Sequence, residues 1–370
     1  MSTPPPLFSR RRVTFLLGNG FSRDVGFPSM EELWNLGLQC SIPWLEEALE
    51  DARSRYPLSF FIKKELKELE LLLTVWKADW ESRSRYLDEN ATDSGEGGYT
   101  AYITNLCNHL HLYTLKGLQH NNVATSTACF RRIRDVADIS FITTNYDLLL
   151  EWMVSRGLGA SFTFLETPDN TCLPIRKLHG SLGWQFLRDR IQNSPVIYKL
   201  KDNDEEPQRV TGYIHDVTDQ FLKVFNLPLE RADKEYEGTV LQLGDPNNYT
   251  IIPPTIGKRY SSLSQKVLQL AFQDLMQSND LVIGGYSFPE ADPIIQQLIL
   301  SAVKERKPRV IVVNPSDTEI RGRLQALGPD ISITYLPYGW SEALAKLVQV
   351  LESPSDGQFG KIGVVLNNAA

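Results

Sequence analysis

The chain is short of the residues that metal ribbons, export signals and nucleic-acid coats require. Its four cysteines stand singly at positions 40, 107, 129 and 172, with no Cys-x-x-Cys pair. That spacing argues against a zinc ribbon and against a dense disulfide framework, and makes a reducing compartment the default. Basic residues have no surplus: 38 Lys+Arg against 45 Asp+Glu leave a formal net charge of −7, the wrong balance for a protein that mainly coats nucleic acid. No apolar run approaches the roughly 18 residues of a membrane span. Arg10, Arg11 and Arg12 precede the run Val13–Leu17 as in an export signal, but Gly18-Asn19-Gly20 breaks it too early for such a core, which needs roughly 7–15 residues. The sequence therefore reads as soluble and cytoplasmic. A Gly-x-x-x-x-Gly-Lys-Ser/Thr phosphate loop and a Gly-x-Ser-x-Gly elbow are both missing. His109 and His111, two apart, fall on different helix faces and make a poor metal pair.

What is present is an ordinary globular composition, 42% hydrophobic and 22% charged over 370 residues, enough chain for a large core. Short β-branched runs end in glycine, asparagine or histidine: Val13–Leu17, Ile139–Ile142, Pro174–Leu178, Leu281–Ile283, Arg309–Val313 and Ile331–Tyr335. Several are almost continuously apolar, as for strands covered on both faces of a parallel sheet. Helical patterns follow at Asp147–Arg156, Asp292–Lys304 (opened by Asp-Pro), Asp317–Leu327 and Ser341–Leu351. The alternation predicts an α/β fold: a Rossmann-like, doubly wound, mainly parallel sheet with helical insertions. Its core is drawn from 1–34, 135–185 and 250–352. A helical insertion covers 35–134, where Leu69, Leu72, Leu73, Trp76 and Trp80 form one apolar stripe and Asp88–Gly98 a polar loop. A second insertion of uncertain structure covers 186–249, and 353–370 is a tail.

In such a sheet, ligands bind outside the carboxyl ends of the strands. Gly18-Asn19-Gly20, Asn145 with Asp147, His179, Gly284 with Ser287, and Asn314 all fall at those ends. Glycines in Gly18-Asn19-Gly20-Phe21-Ser22 would let the backbone approach a pyrophosphate at a helix start. The third glycine of the dinucleotide fingerprint is replaced by Arg23 and no acidic ribose ligand follows, which disfavours a standard dehydrogenase. Bland alternatives stand beside each reading: a tight turn at Gly18–Gly20, close strand packing at Gly284-Gly285, a simple turn at Asn314-Pro315. Arg131, Arg132 and Arg134 at a helix end complement its dipole.

Gly18-x-Gly20-x-Ser22-x-x-x-Gly26-x-Pro28 resembles the opening motif of the sirtuin family. Thr143-Thr144-Asn145-Tyr146-Asp147 resembles its Asn-x-Asp motif, Lys177-Leu178-His179-Gly180 its His-Gly motif, Gly285-Tyr286-Ser287 its later glycine–serine loop, and Val313-Asn314 its adenosine-side strand end. The chain departs from sirtuin deacylases in lacking their four-cysteine zinc module, and in carrying Ser29-Met30-Glu31 where they have Asp-Phe-Arg. The Thr-Thr-Asn-Tyr-Asp form is more similar to the sirtuin-like domains of bacterial antiphage defence, whose members hydrolyse NAD.

That resemblance implies an NAD+ glycohydrolase releasing nicotinamide and ADP-ribose, with no zinc or other metal. It implies an abortive-infection effector that depletes NAD once a partner or self-assembly activates it. A homo-oligomer is expected, with a HerA-type ATPase or a short Argonaute as possible partner, and neither direct nucleic-acid binding nor a membrane. The implied cofactor-binding residues are Gly18, Asn19, Gly20, Phe21, Ser22, Thr144, Gly284, Ser287 and Asn314; the implied catalytic ones are Asn145, His179 and Asp147. The chemistry agrees, because loss of nicotinamide from its ribose passes through an oxocarbenium-like state and the leaving group is already cationic. His179 can serve as base, and Asn145 can orient water or a ribose hydroxyl. Asp147 binds the carboxamide, favours the cationic transition state or caps the helix it begins. The competing readings are a non-catalytic module that senses NAD or ADP-ribose, and a protein deacylase or ADP-ribosyltransferase, which the missing zinc module disfavours.

Overall fold

The computed structural model describes residues 10–29, 32–33, 116–165, 172–182, 184–187, 212–217, 220–225, 251–252, 262–289, 292–316 and 333–353, with single helical positions between 103 and 114 and between 320 and 324. The Leu69–Trp80 stripe, the Asp88–Gly98 loop and the tail beyond Ser353 lie outside the described residues.

Numbered along the described chain, the elements begin with β1 (Arg12–Leu17), α1 (Asn19–Arg23), α2 (Asn121–Val136), β2 (Asp138–Thr143), α3 (Leu149–Trp152), β3 (Ser161–Thr163) and β4 (Cys172–Lys177). There follow β5 (Trp184–Leu187), β6 (Gly212–Val217), β7 (Gln220–Phe225), α4 (Ser262–Met276), β8 (Asp280–Gly284), α5 (Pro293–Arg306), β9 (Arg309–Val313), β10 (Ile333–Leu336) and α6 (Trp340–Glu352). Seven strands form one all-parallel sheet in the order β10-β9-β8-β1-β2-β4-β3. This is the Rossmann-like, doubly wound α/β arrangement that the alternating pattern predicts. The order reverses between β1 and β8, so the crevice at their carboxyl ends is the topological switch point.

β1 lies at the centre and is buried on both faces, from Val13 to Leu17. On one face Phe15 packs edge-on to Phe130 of α2 and stacked on Phe141 of β2, ring centroids 5.2 and 5.5 Å apart, and Trp340 of α6 closes the group. Each such buried ring contributes about 1.5–3 kcal/mol relative to exposure. On the other face lies α4: Thr14 bonds the Asp274 carbonyl, and Arg176 of β4 makes a 2.8 Å ion pair with the Asp274 carboxylate. At the amino ends of the strands, Asp280 is gripped by Arg11 and Arg309.

Three features differ from the pattern read in the sequence. The helix expected over 147–156 is only four residues, Leu149–Trp152, and continues as a wider π-turn, Met153–Gly157. Tertiary contact accounts for its end: Gly157 approaches Thr127 of α2 too closely for any Cβ, and its carbonyl accepts from Arg131. β3 is a three-residue edge strand, and the chain returns from it so that β4 sits between β2 and β3. That return places the end of β4 beside the end of β2. From the end of the expected core segment into the second insertion, β5, β7 and β6 form a separate three-stranded antiparallel sheet. No helix among the described residues is long and apolar enough to cross a membrane.

The loops after β1 and β8 touch at glycines. Gly285 has φ +63°, and a Cβ there would sit 2.3 Å from the Phe21 backbone nitrogen, whereas Gly26, with φ +87°, has open space around it. Gly285→Ala should therefore lose about 2 kcal/mol or more of unfolding free energy, and Gly26→Ala only about 1 kcal/mol. Denaturant titration of both variants checks this, and equal losses would contradict the close approach.

Candidate active site

Four loops at the carboxyl ends of the strands are tied into a closed ring. The β1 loop meets the β8 loop through Gly18 N–H to the Gly284 carbonyl and Gly20 N–H to the Gly285 carbonyl, both 2.9 Å. It meets the β2 loop through Thr144 N–H to the Leu17 carbonyl and through Asn145. The β2 and β4 loops are joined by Leu178 N–H to the Thr143 carbonyl, 2.8 Å, and Leu182 N–H to the Tyr146 carbonyl, 3.0 Å. His179 of the β4 loop reaches Asp292 at the start of α5, Nε2 to Oδ1 3.2 Å, and closes the circuit.

Asn145 is half-buried, and its Nδ2 donates both to the Gly18 carbonyl, 3.0 Å, and to Ser22 Oγ, 2.8 Å. Ser22, fully buried, passes its own hydrogen to Asp147 Oδ2 at 2.7 Å. The other carboxylate oxygen of Asp147 accepts the N–H of Leu149, 3.1 Å, at the first residue of α3. Asp147 thus makes the contact with the helix start that is one of the roles open to it. With both Nδ2 hydrogens spent, the Asn145 acceptor Oδ1 is the part of that amide left to orient a hydroxyl or a water.

His179 is 5% exposed and Asp292 2%. The His179 carbonyl accepts the N–H of Ile252, 2.8 Å, and the Ile252 carbonyl accepts from the Tyr146 hydroxyl, 2.6 Å, so one backbone strap holds both loops. The sequence placed Asp292 only as a helix start. Its carboxylate makes no cap and turns to His179 and to the Tyr286 hydroxyl, 3.4 Å. No local pattern distinguishes that use of an Asp-Pro pair from an ordinary cap.

Beneath the β2 loop lies a second charged pair that sequence reasoning missed. Lys177, 1% exposed, bonds the Asp147 carbonyl and Glu151, Nζ to Oε1 2.8 Å. Glu151 Oε2 is buried without a hydrogen-bond partner. Burial holds the Glu151 carboxyl above the usual carboxylate range, and Lys177 draws it only part of the way back. The available signal was an acid standing alone in the apolar run Leu148–Met153.

The remaining expected residues fall into two groups. Asn19, Gly20, Thr144 and Asn314 are half-buried and Ser287 is exposed, all at the carboxyl end of the sheet. Phe21 instead packs into the core against Trp340, ring centroids 5.3 Å apart, and Gly284 faces the Trp340 ring and Leu17. Asn314 holds its own turn, Oδ1 accepting from Ser316 N–H at 2.9 Å. Gly18 and Gly20 lack side chains for a local reason: a Cβ on either would lie 2.7 Å from Gly285 atoms. Among the described residues no group of three or more His, Cys, Asp and Glu is placed to hold a metal. Cys107 and Cys129 are buried apart from any such group, and burial pushes the Cys129 thiol up to about 12.

No family model matches the chain, and no curated protein sequence matches it. Among solved structures it is similar to a Sir2 homologue in complex with NAD, at 15% identity over 92% of this chain and 90% of that one, TM-score 0.39. A mutant Sir2 homologue in complex with ADP-ribose is similar at 16% identity over 92% of each chain, TM-score 0.38. Likeness at this distance gives no residue its role. The geometry has to supply it.

Glu151 makes one prediction testable by pH. Its folded form binds a proton more tightly than the unfolded chain, whose ordinary value is 4.5. The resulting stabilisation is complete below that pH and is lost as pH rises through the raised folded value. Glu151→Gln cannot titrate. Wild-type stability measured relative to Glu151→Gln should therefore fall as pH rises from about 4.5, and a flat or rising difference would contradict the assignment.

Proposed function

We propose that the chain is an NAD+ glycohydrolase: NAD+ and water give nicotinamide, ADP-ribose and a proton. The observation that carries this reading is the ring of loops at the switch point. It gathers an amide acceptor, an imidazole and two buried carboxylates around the point where the glycine loops after β1 and β8 touch.

In the proposed reaction the bond from the ribose anomeric carbon to the nicotinamide nitrogen breaks, and its electron pair leaves with neutral nicotinamide. The oxygen of water adds to the same carbon, and His179 takes the proton that water sheds. Asn145 Oδ1 orients that water or a ribose hydroxyl. The buried carboxylates of Asp147 and Asp292 favour the positive charge that develops on the sugar, an effect strengthened where water is excluded. Asp147 also acts through Ser22, whose hydroxyl it holds in place to accept from Asn145. The half-buried Asn19 and Gly20 and the exposed Ser287 border the part of the crevice where the pyrophosphate would run.

The same reading covers the setting that the motif set implies: a cytoplasmic effector that depletes NAD in antiphage defence, assembled as a homo-oligomer or with a HerA-type ATPase or short Argonaute. The burial of His179 fits a resting form of low activity.

Incubating the protein with NAD+, alone and with those partners, and measuring nicotinamide and ADP-ribose by chromatography tests the reading. Asn145→Ala and His179→Ala should each lower release by about 100-fold or more. Unchanged turnover in both would remove them from the mechanism. NAD binding without release under every activating condition would point to a sensor, and release that requires an acyl-lysine peptide would point to a deacylase.

A further inference from the structure

Lys177 has a use that its place in the sheet does not explain. It is the last residue of β4, paired in register with Thr143 of β2, and a strand end of this kind needs no charge. Its side chain is nonetheless buried, and Nζ bonds the Asp147 carbonyl and Glu151 Oε1, the latter at 2.8 Å. The carboxylate that answers it is poorly provided for. Ser181 Oγ reaches Glu151 Oε1 only at 3.4 Å, and among the described residues Glu151 Oε2 has no hydrogen-bond partner. Burying two ions in this way is unfavourable, and an apolar pair of similar volume is often as stable or more so.

What the pair holds is the segment that carries Asn145 and Asp147. Residues 145–147 belong to no helix or strand, so their place is set by bonds from outside. At one end Asn145 N–H donates to Thr143 Oγ1, 3.0 Å; at the other the Asp147 carbonyl accepts from Lys177. From that segment Asn145 Nδ2 and Asp147 Oδ2 converge on Ser22 Oγ, at 2.8 and 2.7 Å. The Lys177 main chain meanwhile closes the turn of the next loop. Its carbonyl accepts Gly180 N–H, 3.3 Å, with Gly180 at φ +83° and His179 inside the turn. One residue thus grips the segment of the amide with its side chain and the turn of the imidazole with its backbone.

We propose that Lys177, with Glu151 as its counter-ion, is a positioning residue of this site: held on the strand that leads to His179, it fixes the Asp147 carbonyl and with it the place of Asn145 relative to His179. The proposal rests on the glycohydrolase reading for its effect on rate, and on geometry alone for its effect on Asn145. Methionine at this position would match the reach of lysine but has no hydrogen to give the carbonyl.

The test is the full-length double variant Lys177→Met/Glu151→Leu, which removes both charges at similar volume, beside Lys177→Met and wild type. Denaturant titration should place the double variant near or above wild type, and Lys177→Met, which strands the Glu151 carboxylate, below the double variant. Nitrogen NMR of 15N-labelled protein, with the Asn145 side-chain amide assigned by its loss in Asn145→Ala, should show that amide exchanging its hydrogens about tenfold faster in the double variant. Nicotinamide release by the activated double variant should lose about 100-fold in kcat, with KM for NAD+ changed by less than about threefold. A double variant that is unfolded or much less stable than wild type shows that the pair serves the fold, and overturns the proposal. So does a Lys177→Met protein as stable as the double variant, an Asn145 amide that exchanges as in wild type, or an unchanged kcat where wild type turns over. If the exchange rises as expected but wild type releases no nicotinamide under any activating condition, the positioning role is upheld and the glycohydrolase reading fails.

Discussion

The loop after β1 and the loop after β8 meet backbone to backbone at the point where the strand order reverses. Two N–H···O bonds of 2.9 Å cross between them, and a Cβ on Gly18, Gly20 or Gly285 would come within 2.7 Å of the opposite chain. Everything around the crevice is referred to that contact. The β8 loop, fixed against β1, carries Asp292 to His179, while the β1 loop carries Ser22 to Asn145 and Asp147. A side chain inserted between the two loops would move both halves of the site together. The glycines serve first to bring these loops into contact, and any room they leave for a pyrophosphate follows from that.

Buried charge is concentrated beside this crevice. His179, Asp292, Asp147, Lys177 and Glu151 are all buried, and each has a named partner. Taking ions out of water costs several kcal/mol each, and replacing such pairs by apolar residues is often neutral or stabilising. Such pairs therefore need a reason besides stability, and in the proposed reaction the carboxylates of Asp147 and Asp292 have one in favouring positive charge on the sugar. The pair Arg176–Asp274 on the opposite face of the sheet joins β4 to α4, as Lys177–Glu151 joins β4 to α3.

The parallel strands were legible because burial on both faces leaves almost no polar residue in them; β8 is buried at all five positions. That Asn145 and Asp147 come beside the loop after β1 was legible as well, since neighbouring strand ends must converge once the sheet is parallel; that Ser22 joins them was not. What escaped reading depended on contacts distant in sequence. The π-turn at Met153–Gly157 comes from packing on Thr127, and β3 is too short for any periodicity to show. Asp292 looks like a cap in the sequence and becomes a partner of His179 only through the fold. Lys177 sits within the His-Gly motif itself, yet nothing local marks it as the buried cation under the Asn145–Asp147 loop.

The central claim is that these loops close around the ribose next to nicotinamide. Its most direct measurement is a crystal structure of the protein with ADP-ribose. The account predicts the terminal ribose between Asn145 and His179, its hydroxyls within hydrogen-bond reach of both, about 2.6–3.2 Å, and the pyrophosphate along the β1 loop. A well-ordered ADP-ribose bound with its terminal sugar away from those two residues would contradict it.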